Sequence, residues 1–406
     1  MTAKKAVLIG ALDTKGIEYK FVKEVLEQAG VATLVIDTGI LDEPHFAPDI
    51  PSARLAELAG TSIGELRSKN DRGTAVTAMA QGATLILQEL LDAGEVAGVF
   101  GMGGTAGTTV AASAMKAVPV GVPKLLVSTV ASGNTRPYVG EKDVTMMYSV
   151  VDISGINRLS NRILRNAAYG LAGMIQGMAN EPPAEETKVT IGMTMFGVTT
   201  PCVTRVRETM EARGYDVLVF HATGAGGLAM EGLIDAGYIQ GVADITTTEL
   251  ADELVGGIFT AGPHRLEAAG RKGVPQIVSV GALDMVNFGP PDTVPEAFKS
   301  RKFYQHNPTT TLMRTTAAEN ANLGAILAEK LNESQSPTVV VFPKGGVSLL
   351  DRAGQAFDGV EERQALLNAL KQGLRADIPF IESDLDINDP QMADLISEQL
   401  IKLMGN

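Results

Sequence analysis

The segment GVFGMGGTAGTTVA, Gly98 to Ala111, decides how this chain folds. Val99 and Phe100 close an apolar run, Gly101, Gly103, Gly104 and Gly107 follow within seven positions, and Thr105, Thr108 and Thr109 lead into an alanine-rich stretch. That order predicts a strand, a tight turn and a helix start. A turn without side chains lets a ligand's phosphates approach the main chain. The unpaired N–H groups of the helix's first turn then point at them, with the positive end of the helix dipole behind. The turn is not a P-loop, because no Lys-Ser/Thr pair closes it, and it is not the spaced dinucleotide fingerprint at a first strand. A glycine turn needed only for geometry is the competing reading.

Working outward, AVLIG at Ala6 to Gly10 reads as a buried strand, ALDTKG as a polar loop, and Ile17 to about Gln28 as an amphipathic helix. A second strand, Ala32 to Ile36, ends in Asp37-Thr38-Gly39 and completes a β-α-β unit. Residues 41–75 carry three prolines and little periodicity, and read as an insertion over one end of that sheet; helix resumes from about Ala75 to Ala93. Strand Leu125 to Val130 leads to a small-residue turn at Ser132-Gly133-Asn134-Thr135. Thr145 to Asp152 reads as the last strand of this half, and Asn157 to Met178 as a long helix. The polar stretch Ala179 to Thr187, with Pro182-Pro183, reads as a linker. After it the pattern restarts, and two later segments echo the first half: GVADITTTE near Gly241 echoes GVFGMGGTAGT, and GVPQIVSVGALD near Gly273 echoes GVPKLLVSTVASG near Gly121. The expected fold is therefore α/β, with two Rossmann-like doubly wound parallel-sheet domains, residues 1–180 and 188–406.

Bulk composition narrows the function. A length of 406 residues exceeds what one core usually serves. A net charge of −13 argues against a nucleic-acid or anionic-membrane surface. No apolar stretch is long enough to span a bilayer and the first residues lack a signal h-region, so the cytoplasm is the expected compartment. Cys202 is the sole cysteine and is expected to be a buried small hydrophobe; HExxH, cysteine-pair and calcium-loop patterns are absent, and no resident metal site is expected.

In open parallel sheets ligands lie beyond the carboxyl ends of the strands. In the first half those ends carry Asp13, Thr14, Lys15 and Gly16, then Asp37, then the glycine turn, then Ser132, Gly133 and Asn134. Lys15 offers a cation for phosphate oxygens, Asp13 a ligand for Mg²⁺ or its water, and Asp37 an acceptor for ribose hydroxyls. The second half offers His221, Glu249, Arg265 and His306, an acid/base set with a guanidinium fork for an anionic substrate. Histidines hydrogen-bonded for structure alone are the competing reading, and His45 and His264 are weaker candidates.

The blocks ALDTKGIEY, GMGGTAGT, STVASGN, MMYSVVDISGINRLS, VFHATGAGGLAMEGLI, DITTTELAD, GALDMVNFG and HNPTTTLMRTT together resemble an uncharacterised protein family. It is typified by the amino-terminal, ATP-binding part of the plant resistance protein against tomato mosaic virus. The resemblance runs from Ala6 to about Asp389 and implies two Rossmann-like subdomains, ATP in the first and a homodimer; the barrel that follows in the plant protein is expected to be absent. On this reading Asp13 to Gly16 and Gly101 to Thr109 contact the nucleotide, with Ser132 to Asn134 beside them. The triphosphate lies on Gly103, Gly104, Thr105 and Gly107 with Mg²⁺ bridging its oxygens. A small anionic metabolite is expected between the domains, facing His221, Glu249, Arg265 and His306. Two other functions fit the same residues: an enzyme acting on a phosphorylated or carboxylated compound without ATP turnover, and a non-catalytic ATP-binding regulatory module.

Overall fold

Strand β1 (Lys5–Gly10) is buried from its second residue onward, as a strand must be when helices cover both faces of a parallel sheet. Its side chains alternate between two cores. Val7 and Ile9 pack with Leu34, Ile36, Val99, Met79, Ala83 and Met115, whereas Ala6 and Leu8 pack with Val35, Phe100, Val22 and Leu164. The computed structural model describes residues 4–180 and 188–405, and the chain divides between Glu185 and Glu186 into two compact units. Most of the expected linker lies outside the described residues.

In the first unit β1, β2 (Thr33–Asp37), β3 (Val96–Gly103), β4 (Lys124–Ser128) and β5 (Thr145–Tyr148) are all parallel, in the order β2-β1-β3-β4-β5. In the second, β6 (Thr190–Met195), β7 (Asp216–His221), β8 (Gly241–Thr246), β9 (Gln276–Gly281), β13 (Thr338–Pro343) and β14 (Phe380–Ser383) form a parallel sheet in the order β7-β6-β8-β9-β13-β14. The progression is the same in both. The echoed segments fall on equivalent strands: β3 and β8 are third in their units, β4 and β9 fourth. Between β9 and β13 the second unit inserts a three-stranded antiparallel sheet, β10 (Met285–Phe288), β11 (Phe303–Asn307) and β12 (Thr310–Arg314), which the sequence pattern did not reveal.

Two boundaries differ from expectation. ALDTKG is not a loop but the opening of helix Leu12–Gln28, with a kink at Lys15. Strand β5 stops at Tyr148, because Val150 takes a left-handed conformation (φ 63°) that no strand continues. The insertion over the sheet is mostly helical, with Ser52–Leu58 and Ile63–Lys69 preceding the long helix Arg72–Asp92. Among the described residues no helix is long and apolar enough to cross a membrane.

Candidate functional site

Strand order reverses between β1 and β3, so connections from these strands leave in opposite directions and open a crevice at their carboxyl ends. Tyr19 fixes the two strands where they part. Its hydroxyl donates to the Ile9 carbonyl at 2.5 Å and accepts the Met102 N–H at 2.8 Å, tying β1 to β3 where they diverge. Above it, helix Thr105–Lys116 starts one residue after β3. A Cβ on Gly101 would collide with that of Ala111, one on Gly103 would lie 2.9 Å from the Gly107 Cα, and one on Gly107 would lie 3.1 Å from the Met102 carbonyl oxygen. The glycines therefore let the helix ride directly on the strand, and none of the four has positive φ. The helix's first intrahelical bond is Thr108 N–H to the Gly104 carbonyl; the amides of Thr105, Ala106 and Gly107 precede it and have no acceptor among the described residues.

A cavity of about 590 Å³ lies against this helix start. It is lined by Ala106, Gly107 and Val110 of this helix, by Asp13, Thr14 and Gly39, by Leu66, Arg67 and Asp71, and by Arg72, Val76 and Met79 of helix Arg72–Asp92. Asp13 is nine-tenths buried. Its Oδ2 accepts the Leu41 N–H at 2.8 Å, while Oδ1 has no hydrogen-bond partner. A buried carboxylate oxygen without a donor is costly, and this one is packed against Gly39.

Several expected contacts are corrected by this geometry. Asp37 is 3% exposed and its Oδ1 accepts the N–H groups of Leu12 (2.9 Å) and Gly39 (2.8 Å), so it caps a helix rather than meeting a ribose; burial raises its pKa. Gly101 is packed inside β3, and the Thr108 hydroxyl is buried against Ser128 Oγ at 2.7 Å, so neither reaches the cavity. Lys15 sits at the helix kink, outside the cavity lining, and Gly16 lies under the His45 ring. Ser132, Gly133 and Asn134 form an exposed turn after β4, where Asn134 Oδ1 accepts the Arg136 N–H at 3.2 Å. Gly104 faces that side, since a Cβ there would lie 3.8 Å from Thr129 Oγ1.

The second unit does not assemble its expected acid/base set. Arg265 is 1% exposed. It donates through Nε to Glu249 at 2.7 Å, through Nη2 to Asp244 at 2.7 Å and through Nη1 to Asp244 and to Glu231 at 3.3 Å. Glu249 Oε1 accepts the N–H groups of Gly224 and Gly227 at 2.7 and 3.0 Å, and burial raises its pKa. Both groups are spent inside the fold, which corrects their assignment to a substrate. His221 and His306 are exposed and flank one loop: the His221 ring meets Phe196 edge-on at 5.5 Å, and His306 Cε1 lies 3.9 Å from where a Gly197 Cβ would be. Arg314 is also internal, 2.9 Å from Asp351. Cys202 is buried as expected, its thiol pushed up to about 12 by burial. Among the described residues no group of three or more His, Cys, Asp or Glu side chains is placed to hold a metal ion.

Fold and cavity define a doubly wound α/β protein with a ligand-sized crevice at the point of strand reversal in its first unit. Residues 4–180 match the N-terminal domain, and residues 188–404 the C-terminal domain, of the Uncharacterised protein family (UPF0261), and the chain belongs to that family. It is similar to a UPF0261 protein of Clostridium tetani, 52% identical over 402 residues that cover 99% of each chain. It is also similar to the ToMV resistance protein Tm-1(GCR237) of Solanum lycopersicum, 39% identical over 419 residues covering 97% of this chain and 55% of the tomato protein. A UDP-N-acetylglucosamine 2-epimerase from Rickettsia bellii aligns at 9% identity over 100% of this chain and 96% of its own, with a TM-score of 0.24, a superposition that carries no argument.

Proposed function

We propose that the protein binds an adenine nucleotide, ATP with Mg²⁺, in the first unit's crevice. The observation that carries this is the coincidence, at one cavity, of a helix start with unpartnered amides and an apolar wall of Leu66, Val76 and Met79. Phosphate oxygens would lie on the amides of Ala106 and Gly107, which line the cavity, and the base against Leu66, Val76 and Met79. Asp13 is the group that fits Mg²⁺ or its water, because its Oδ1 is buried without a donor. Bound there, the ion would neutralise phosphate charge. We assign no reaction. The reading takes the protein as a cytoplasmic homodimer, and sedimentation equilibrium of the full chain checks the dimer.

Calorimetric titration of the full chain with Mg·ATP tests the site, beside an Ala106→Asp variant. An aspartate in the first turn favours the helix itself, so the fold is kept, while its charge repels phosphate. The expected outcome is saturable ATP binding that weakens at least about tenfold in the variant, with the unfolding midpoint unchanged or raised. No uptake of nucleotide, or displacement by a sugar phosphate as readily as by ADP, would refute the reading and favour a crevice that holds a substrate's own phosphate.

A further inference from the structure

The cations at the cavity are not where a glycine-turn argument places them. Arg67 lies in the last turn of helix Ile63–Lys69 and Arg72 begins helix Arg72–Asp92; both line the cavity that Ala106 and Gly107 of helix Thr105–Lys116 also line. Asn70, in a left-handed conformation (φ 48°), turns the chain between them. Arg67 spends only its Nε, on the Ile40 carbonyl. Arg72 makes no side-chain hydrogen bond, and neither has a carboxylate within ion-pair distance among the described residues. Other arginines pair with acids, as Arg205 does with Asp394 and Arg271 with Asp235, and others such as Arg136 and Arg158 do not among the described residues; what sets Arg67 and Arg72 apart is that both line one cavity. Asp71, the nearest carboxylate in sequence, turns to the Gly73 N–H and the Thr74 hydroxyl instead. Two guanidinium groups outside any ion pair thus border one cavity in a chain of net charge −13; Asp71, which also lines it, and the nine-tenths-buried Asp13 are the carboxylates beside them. A guanidinium fork matches the oxygens of a phosphoryl group, two donors to two acceptors.

We infer that Arg67 and Arg72 are the phosphate-binding side chains of this cavity and make it select nucleoside di- and triphosphates over monophosphates. The inference rests on the nucleotide reading above. The helix amides take one phosphoryl group and the two arginines grip those beyond it. Lys15 has no part in the contact.

The test titrates the full chain with ATP, ADP and AMP at two salt concentrations, comparing wild type with Arg67→Gln, Arg72→Gln, the double variant and Lys15→Gln. Each arginine variant should lose about tenfold in ATP affinity, and the double variant should bind ATP no better than AMP; AMP affinity should stay within about twofold throughout. The salt dependence of ATP binding should flatten in the double variant, and Lys15→Gln should match wild type. Both arginines are exposed, so unfolding midpoints should move little, Arg67→Gln losing only its bond to the Ile40 carbonyl, and they are measured alongside. If wild type binds ATP and the double variant binds it equally well, or loses AMP as severely as ATP, this inference fails and the nucleotide reading stands. If wild type binds none of the three, both fall together.

Discussion

The guanidinium of Arg265 has no edge left for a substrate, because Asp244, Glu249 and Glu231 between them take Nε and both Nη groups. Burying such a cluster costs desolvation that its mutual attraction only just offsets, and removing one partner exposes that cost. Arg265→Met should therefore destabilise the second unit by about 3–5 kcal/mol, read as a lower urea midpoint with an unchanged slope. A loss of ligand affinity at unaltered stability would instead restore Arg265 as a substrate fork. Sequence could show that a histidine-, acid- and arginine-rich set gathers near these strand ends. It could not show which carboxylates turn inward, since Asp244 and Glu249 are 21 and 16 residues from the arginine they neutralise. Asp37 misled for the same reason: it ends a strand where ribose acids often stand, yet its partners are the N–H groups of Leu12 and Gly39.

At the scale of elements, the glycine turn was legible as strand, turn and helix start, and its purpose is close approach rather than unusual backbone angles. Gly103→Ala places a Cβ 2.9 Å from the Gly107 Cα, a backbone atom that can yield only by shifting the helix start. This variant should lose about 1–3 kcal/mol of stability and weaken nucleotide binding together. Gly104→Ala meets nothing nearer than Thr129 Oγ1 at 3.8 Å and should leave stability close to wild type. Thermal midpoints and calorimetric affinities of the two variants, taken side by side, check the contrast; equal effects would mean the turn's spacing does not matter. ALDTKG was misread because the helix it opens has no local cap. Ala11 offers no side-chain acceptor, and the Leu12 amide is capped by Asp37, 25 residues away. The cavity's arginines escaped notice because their segment was read as aperiodic: Ser52–Leu58 and Ile63–Lys69 are seven residues each, two turns, too short to display a helical repeat.

Across the whole molecule, one strand order is used twice with different contents at its carboxyl edge. The first unit leaves a cavity at its helix start. In the second, the Glu249 carboxylate sits on the amides of Gly224 and Gly227 at the start of helix Ala225–Asp235, doing internally what a bound anion would do. The second unit consequently holds most of the carboxyls whose pKa burial raises: Glu249, Asp252, Asp284 and Asp351, against Asp37 in the first, among the described residues. Asp252 is pushed up to about 7 by burial, although it accepts the N–H groups of Phe259 and Asn287 and, at 2.6 Å, the Asn287 amide. A carboxyl with a higher pKa folded than unfolded binds its proton more tightly in the native state. Its contribution is therefore complete below about pH 4 and is lost as pH climbs through the folded value. Carboxyls held low by surface partners, such as Glu267 and Asp358, are already ionised above about pH 5 and do not oppose this trend. Between pH 5 and pH 8 the second unit should lose on the order of a few kcal/mol, and the first much less. Hydrogen exchange followed by mass spectrometry at both pH values, corrected for intrinsic rates, would show falling protection in peptides from β8, β9 and β10. Asp252→Asn should flatten part of that fall, because a neutral amide keeps the acceptor for both backbone N–H groups. The Asn287 Oδ1, which lacks a partner, can turn to receive its NH₂. Protection that held steady or rose with pH would mean these carboxyls are ionised in the native state, and the buried networks would then have to be balanced by their arginines alone.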